Sequence, residues 1–190
     1  MRVALLGPFE VSGDAGDRLP VAGTRLRAMI ARLALAGGRP VSTSALAEAV
    51  WGDDPPADLP NALQTLVSRA RRALGGTAAV EQSAAGYRLA VTPDDVDALR
   101  FERLAAAGDV EEALGLWRGP ALDDVGEFAA PYALRLTQLR LDATTGWLAR
   151  ELEAGRAAAH VAELEALAAG NPLNEKVTEL LMRALAASGR

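Results

Sequence analysis

Strand-like patterning is confined to the first 21 residues and to residues 80–91, and everything beyond residue 97 repeats its apolar residues at helical spacing. Val3–Leu6 and Phe9–Val11 are brief apolar runs split by Gly7-Pro8, and Arg18–Val21 follows the turn-rich Ser12-Gly13-Asp14-Ala15-Gly16-Asp17. These predict two or three short antiparallel strands. Val80–Ser83 and Tyr87–Val91 flank Ala84-Ala85-Gly86 and predict a β-hairpin. Three helices lie between. Leu26, Met29, Ile30 and Leu33 recur at helical spacing before Gly37-Gly38. Ser42 to Ser44 offer N-caps for a second helix, with Leu46 and Val50 on its inner face and Gly52 closing it. Asp53-Asp54-Pro55-Pro56 cannot be helix interior and reads as a stiff acidic loop. Asp58 then caps a third helix that tolerates Pro60 in its first turn, runs to Leu74 and stops at Gly75-Gly76.

Five more helices are predicted over 97–107, 110–118, 131–154, 157–169 and 174–187. Gly108-Asp109, Gly155-Arg156 and Gly189-Arg190 each end one, and the last two breaks lie 34 residues apart, the length of a tetratricopeptide-type helix pair. The interval before them is 47, so the repeat is irregular. The helical reading agrees with composition, since 70 of 190 residues are the strong helix formers Ala and Leu. The net charge of −5 divides unevenly, +2 over residues 1–92 and −7 over 93–190, which argues for two units with different partners. Thr92-Pro93-Asp94-Asp95 is the expected boundary. The expected architecture is an α+β domain over 1–92, folding separably, and an all-α repeat domain over 95–190.

Several function classes are excluded or disfavoured at once. There is no cysteine, hence no disulfide, thiolate zinc site or Cys nucleophile, and the single histidine, His160, argues against a His-based triad or a metal cluster. Nothing matches a Walker phosphate loop. Asp94, Asp95 and Asp97 imitate a metal triplet, but helix capping in a solvated linker explains them, and Asp123-Asp124 with Glu127 likewise. Trp51, Trp117 and Trp147 sit at apolar helical spacing and read as packing residues. No apolar run reaches about 18 residues, and the N-terminal apolar run is too short for a signal peptide. The expectation is a soluble cytoplasmic protein, without catalytic, metal or cofactor chemistry.

The third helix carries the most function. At about 100° per residue, Leu63, Val67, Ala70 and Leu74 form one stripe, while Asn61, Thr65, Ser68, Arg69 and Arg72 form the opposite one, flanked by Arg71. That outer face holds hydrogen-bonding groups and cations but no carboxylate. It suits a DNA major groove, where short polar side chains allow approach and Arg reaches phosphates or guanine edges. It also fits a solvated face whose cations sit near the helix C-terminus. In the hairpin, alternation buries Tyr87 and Leu89 and turns Arg88 outward, where it can meet a phosphate or serve as an ordinary exposed cation. Three helices followed by such a hairpin are the order of a winged helix.

Leu6-Gly7-Pro8-Phe9-Glu10-Val11, Val50-Trp51-Gly52-Asp53, Asn61-Ala62-Leu63-Gln64-Thr65, Val67-Ser68-Arg69, Arg71-Arg72-Ala73-Leu74 and Gly86-Tyr87-Arg88-Leu89 together resemble the Streptomyces antibiotic regulatory protein family. So do Pro93-Asp94-Asp95-Val96-Asp97, Arg100-Phe101-Glu102-Arg103-Leu104, Ala113-Leu114-Gly115-Leu116-Trp117-Arg118-Gly119 and Gly170-Asn171-Pro172-Leu173-Asn174-Glu175. The resemblance covers nearly the whole chain. It implies an OmpR-type winged helix-turn-helix domain followed by an all-α tetratricopeptide-like bacterial transcriptional activator domain. It further implies binding to direct repeats near promoters, with a possible homodimer on DNA, and recruitment of RNA polymerase. The 61–74 helix would be the recognition helix and Arg88 part of the wing. Asp53 and Asp54 would face polymerase, on a basic surface such as that of a sigma factor, although a plain stiff turn explains them too. Leu66 stands where the family often has His, and Pro60 where a basic residue is common, and both departures weaken the phosphate grip the resemblance implies. Family members usually continue past Gly189-Arg190, so a truncated or short member is expected. The alternative function is a helical-repeat interaction module or regulatory fragment without productive DNA binding.

Overall fold

Val3, Val11 and Leu19 come into register across three antiparallel strands, β1 (Arg2–Ala4), β2 (Glu10–Ser12) and β3 (Arg18–Leu19), in the order β1-β2-β3. The computed structural model describes residues 1–189; Arg190, the second residue of the last expected helix break, lies outside them. The first strand is shorter than the apolar run Val3–Leu6 predicts. Leu5 and Leu6 turn out of the ladder and give their amides to the Asp97 carboxylate, at 2.6 and 3.1 Å. Their carbonyls accept the amides of Leu122 and Arg118, at 2.8 and 2.7 Å. Buried backbone groups must find partners, and here a later segment supplies them.

Helix α1 (Thr24–Ala34) buries seven of its eleven residues, so it is the central helix of the unit. Helix α2 (Thr43–Trp51) starts where the Ser42 hydroxyl accepts the Ala45 amide at 3.2 Å, and Gly52 ends it. Helix α3 (Leu59–Ala73) starts where Asp58 accepts the Asn61 amide at 3.1 Å, with Pro60 in its first turn. The hairpin of β4 (Val80–Ser83) and β5 (Gly86–Leu89) turns through Ala84-Ala85. Its free edge docks on Val41, two residues before α2. Val41 donates to the Tyr87 carbonyl at 2.7 Å and accepts the Tyr87 amide at 3.0 Å. This is the winged-helix order expected from the sequence.

The helices that follow are α4 (Asp97–Ala107), α5 (Val110–Gly115), α6 (Ala130–Glu153), α7 (Val161–Gly170) and α8 (Glu175–Ala187). The helix predicted over 157–169 begins as a 3-10 turn at Ala157–His160 before α7. The chain divides into two compact units, Met1–Thr137 and Gln138–Arg190. The sequence pattern changes at 92–95, but the first unit runs on to Thr137. The reason lies in β1: Val3 bridges to Val96, and the Leu5 and Leu6 backbone is completed by Asp97, Arg118 and Leu122. In the second unit Leu148, Ala157, Val161, Leu164, Leu180 and Ala184 form one apolar cluster, against which Trp147 packs.

Each member of the acidic triplet is accounted for separately. Asp94 pairs with Arg103 at 2.8 Å. Asp95 accepts the Thr92 hydroxyl and amide, both at 2.7 Å, and those bonds, the hydroxyl first, lower its pKa. Asp97 serves Leu5 and Leu6. Asp124 accepts the Phe9 amide and Arg27, at 3.1 and 2.7 Å. The rings of Trp117 and Phe101 pack edge to face with centroids 5.3 Å apart, and those of Trp147 and His160 do so at 4.9 Å.

Candidate nucleic-acid interface

Periodicity and caps together aim α3. Its first turn is held by Asp58, and its inner stripe is buried: Leu63, Val67, Ala70 and Leu74, joined by Leu66. Leu66 is only 5% exposed. A residue there points into the protein, so its identity does not bear on phosphate grip from the outer face. Asn61, Thr65, Ser68, Arg69 and Arg72 are all exposed on the opposite side. Gln64 is exposed beside them; its place on the helical wheel marked it, but the sequence reading passed over it. Among the described residues no carboxylate pairs with Arg69 or Arg72 within 4.0 Å.

Arg71 and Arg88 are placed differently. The Arg71 side chain is half-buried, and its Nε donates to the Val80 carbonyl at 2.8 Å. It therefore ties α3 to the first strand of the wing. Arg88 faces outward as alternation requires, between buried Tyr87 and Leu89. Its Nε and Nη2 both donate to one Glu81 carboxylate oxygen, at 2.9 and 2.6 Å. So the structure brings five polar or cationic side chains onto one face of α3. It sets Arg71 between helix and wing and engages Arg88 with a carboxylate.

The Asp53-Asp54 loop lies at the other end of α2, and both carboxylates are exposed. The loop borders a groove of about 930 Å³ that Trp51, Phe128 and Tyr132 also line, together with Arg25 and Arg32. Among the described residues no group of three or more His, Asp or Glu side chains is placed to hold a metal ion. Among the described residues no helix is long and apolar enough to cross a membrane.

A small N-terminal sheet, three helices and a hairpin docked beside the third, followed by helices only, define a winged-helix protein with a helical C-terminal half. Residues 21–89 match the family described as transcriptional regulatory protein, C terminal, and residues 94–190 match the bacterial transcriptional activator domain. The chain belongs to the Streptomyces antibiotic regulatory protein family of transcriptional regulators. It is 33% identical to regulatory protein DnrI of Streptomyces peucetius, over all of this chain and 79% of that protein. It is 37% identical to regulatory protein AfsR of Streptomyces griseus, over all of this chain and 21% of that protein. A solved structure of Mycobacterium tuberculosis EmbR, in complex with a low-affinity phosphopeptide, superposes with a TM-score of 0.85 at 33% identity. That match covers all of this chain and 55% of the EmbR chain. The chain thus spans about a fifth of AfsR and just over half of EmbR.

Proposed function

We propose that this regulator binds double-stranded DNA through α3 and the β4–β5 wing, and that it activates promoters by recruiting RNA polymerase. Residues 1–92 form its DNA-binding segment and residues 95–190 its activator segment. The observation that carries the reading is the outer face of α3, which is exposed, free of carboxylates and bears two arginines that pair with no carboxylate among the described residues. Asn61, Thr65 and Ser68 are short enough to let the helix approach the groove floor, and Gln64 extends that row. Arg69 and Arg72 reach phosphates or guanine edges. Arg88 meets the backbone beside the groove, and Arg71 keeps the wing at its angle to α3. Two copies would occupy two direct repeats. The relatives are regulatory proteins, and the reading includes no catalytic step and no cofactor.

Binding to a duplex selected from random DNA, measured against salt, tests this. Arg69→Ala and Arg72→Ala are each expected to weaken binding roughly tenfold. A lost phosphate contact lowers the salt slope by about 0.9. A lost guanine contact leaves the slope and relaxes selectivity at one base pair. Both side chains lie on the exposed face, so circular dichroism should stay unchanged. Wild-type affinity in both variants would refute DNA binding through α3.

The polymerase contact is assigned to Asp53 and Asp54, two exposed carboxylates outside α3. The double variant Asp53→Arg, Asp54→Arg is expected to keep affinity for the selected duplex while transcription from a reconstituted promoter falls several-fold. Unaltered transcription removes the loop from the activation surface.

A further inference from the structure

Between residues 59 and 91 the chain carries four arginines, Arg69, Arg71, Arg72 and Arg88, and a single carboxylate, Glu81. The fold sets that carboxylate on one of the four. Glu81 lies directly opposite Arg88 in the antiparallel register of the hairpin. Arg88 Nε and Nη2 converge on the same Glu81 oxygen at 2.9 and 2.6 Å. Both side chains are about half exposed, at 49% and 45%. The wing therefore offers DNA a neutralised pair, while the face of α3 offers uncompensated cations.

A phosphate can take the Nε–Nη2 edge of Arg88 only by displacing Glu81, and the displaced carboxylate then stays beside the phosphate, where like charges repel; a phosphate on Nη1 meets the same repulsion. The pair is solvated, and exposed ion pairs are weak, so displacement is possible for a phosphate held in the right place. A seated α3 provides that placement; a loosely bound duplex does not. We propose that Glu81 is a built-in competitor for phosphate on the wing, which makes the Arg88 contact conditional on α3 being seated and holds the affinity of the seated complex down by the cost of its own displacement. A competitor lowers affinity most where the contact it opposes is strongest, so its penalty falls chiefly on the seated complex. This rests on the DNA-binding reading above and names the residue that limits the wing's share of it.

The test compares wild type, Glu81→Gln, Arg88→Ala and the double variant, as full chains, on the selected duplex and on a scrambled one of the same length. Glu81→Gln is expected to tighten binding to the selected duplex roughly three- to tenfold and to steepen its salt slope by up to about 0.9. The gain on the scrambled duplex should be smaller, because no seated α3 holds a phosphate against Arg88 there. In the Arg88→Ala background the Glu81→Gln gain should vanish. An unchanged Glu81→Gln overturns the proposal, as does an equal gain on both duplexes. A gain that survives in the Arg88→Ala background overturns it too, since it would reflect only the removal of one negative charge. If wild type binds neither duplex, the DNA reading falls and takes this assignment with it. If wild type binds and Glu81→Gln is silent, the assignment alone falls.

Discussion

Valine in place of Gly86 is expected to detach the wing from the first unit and to cost about 3–5 kcal/mol of stability. Gly86 has φ +122°, a conformation that side-chain-bearing residues rarely adopt. A β-carbon there would stand 2.0 Å from the Val41 carbonyl oxygen and 2.9 Å from the Ser42 Cα. Those neighbours are backbone and lead directly into the capped start of α2, so they cannot rotate away. The paired bonds between Val41 and Tyr87 would open, and Tyr87 and Leu89 would lose their buried places. Gly86→Ala should do nearly as much harm, because the clash begins at the first carbon. Urea unfolding measures the loss, and hydrogen exchange at the Val41 and Tyr87 amides locates it. A Gly86→Ala protein within about 0.5 kcal/mol of wild type would show that the wing does not approach so closely.

Asp97→Ala is the second large effect, expected to cost about 3 kcal/mol, since it leaves the amides of Leu5 and Leu6 buried without acceptors. The Asp97 side chain is only 14% exposed, and Arg118 lies 3.7 Å away. Asp97→Asn should fall between wild type and Asp97→Ala, because its one carbonyl oxygen can serve only part of the pair. Burial raises the Asp97 pKa, against the opposing pull of the two amides and Arg118. A carboxyl whose folded pKa lies above its unfolded one contributes most below the unfolded value. That contribution is lost as pH rises through the folded value. The stability of wild type relative to Asp97→Asn should therefore shrink with rising pH in the range just above 3.8. The opposite slope would mean that the amides outweigh the burial. The same latch predicts that residues 1–92 alone are less stable than residues 1–137. Equal stability would show that strand β1 closes without the residues after Val96.

Much of this arrangement was legible in the residues. Ser42, Asp58 and Pro60 are local signals, and each helix begins where they place it, because a cap acts within one turn. The buried stripe of α3 and the outward face of Asn61, Thr65, Ser68, Arg69 and Arg72 follow from helical period alone. Hairpin alternation likewise put Arg88 outside and Tyr87 inside. The order of elements, and the motifs spaced along it, pointed to the right family.

What the residues could not show were the partners that come from far along the chain. Val3–Leu6 reads as one strand, yet its last two amides are claimed by Asp97, more than ninety positions away. That claim also carries the first unit past 92–95, where the sequence pattern changes. Arg71 and Arg88 look alike as surface cations; a carbonyl on β4 makes one a tie between helix and wing, and a facing carboxylate occupies the other. Local pattern is written in propensity and period, which act over a few residues. The pairing of a charge or a backbone amide depends on which distant group the folded chain brings within about 3 Å, and no spacing in the sequence encodes that distance.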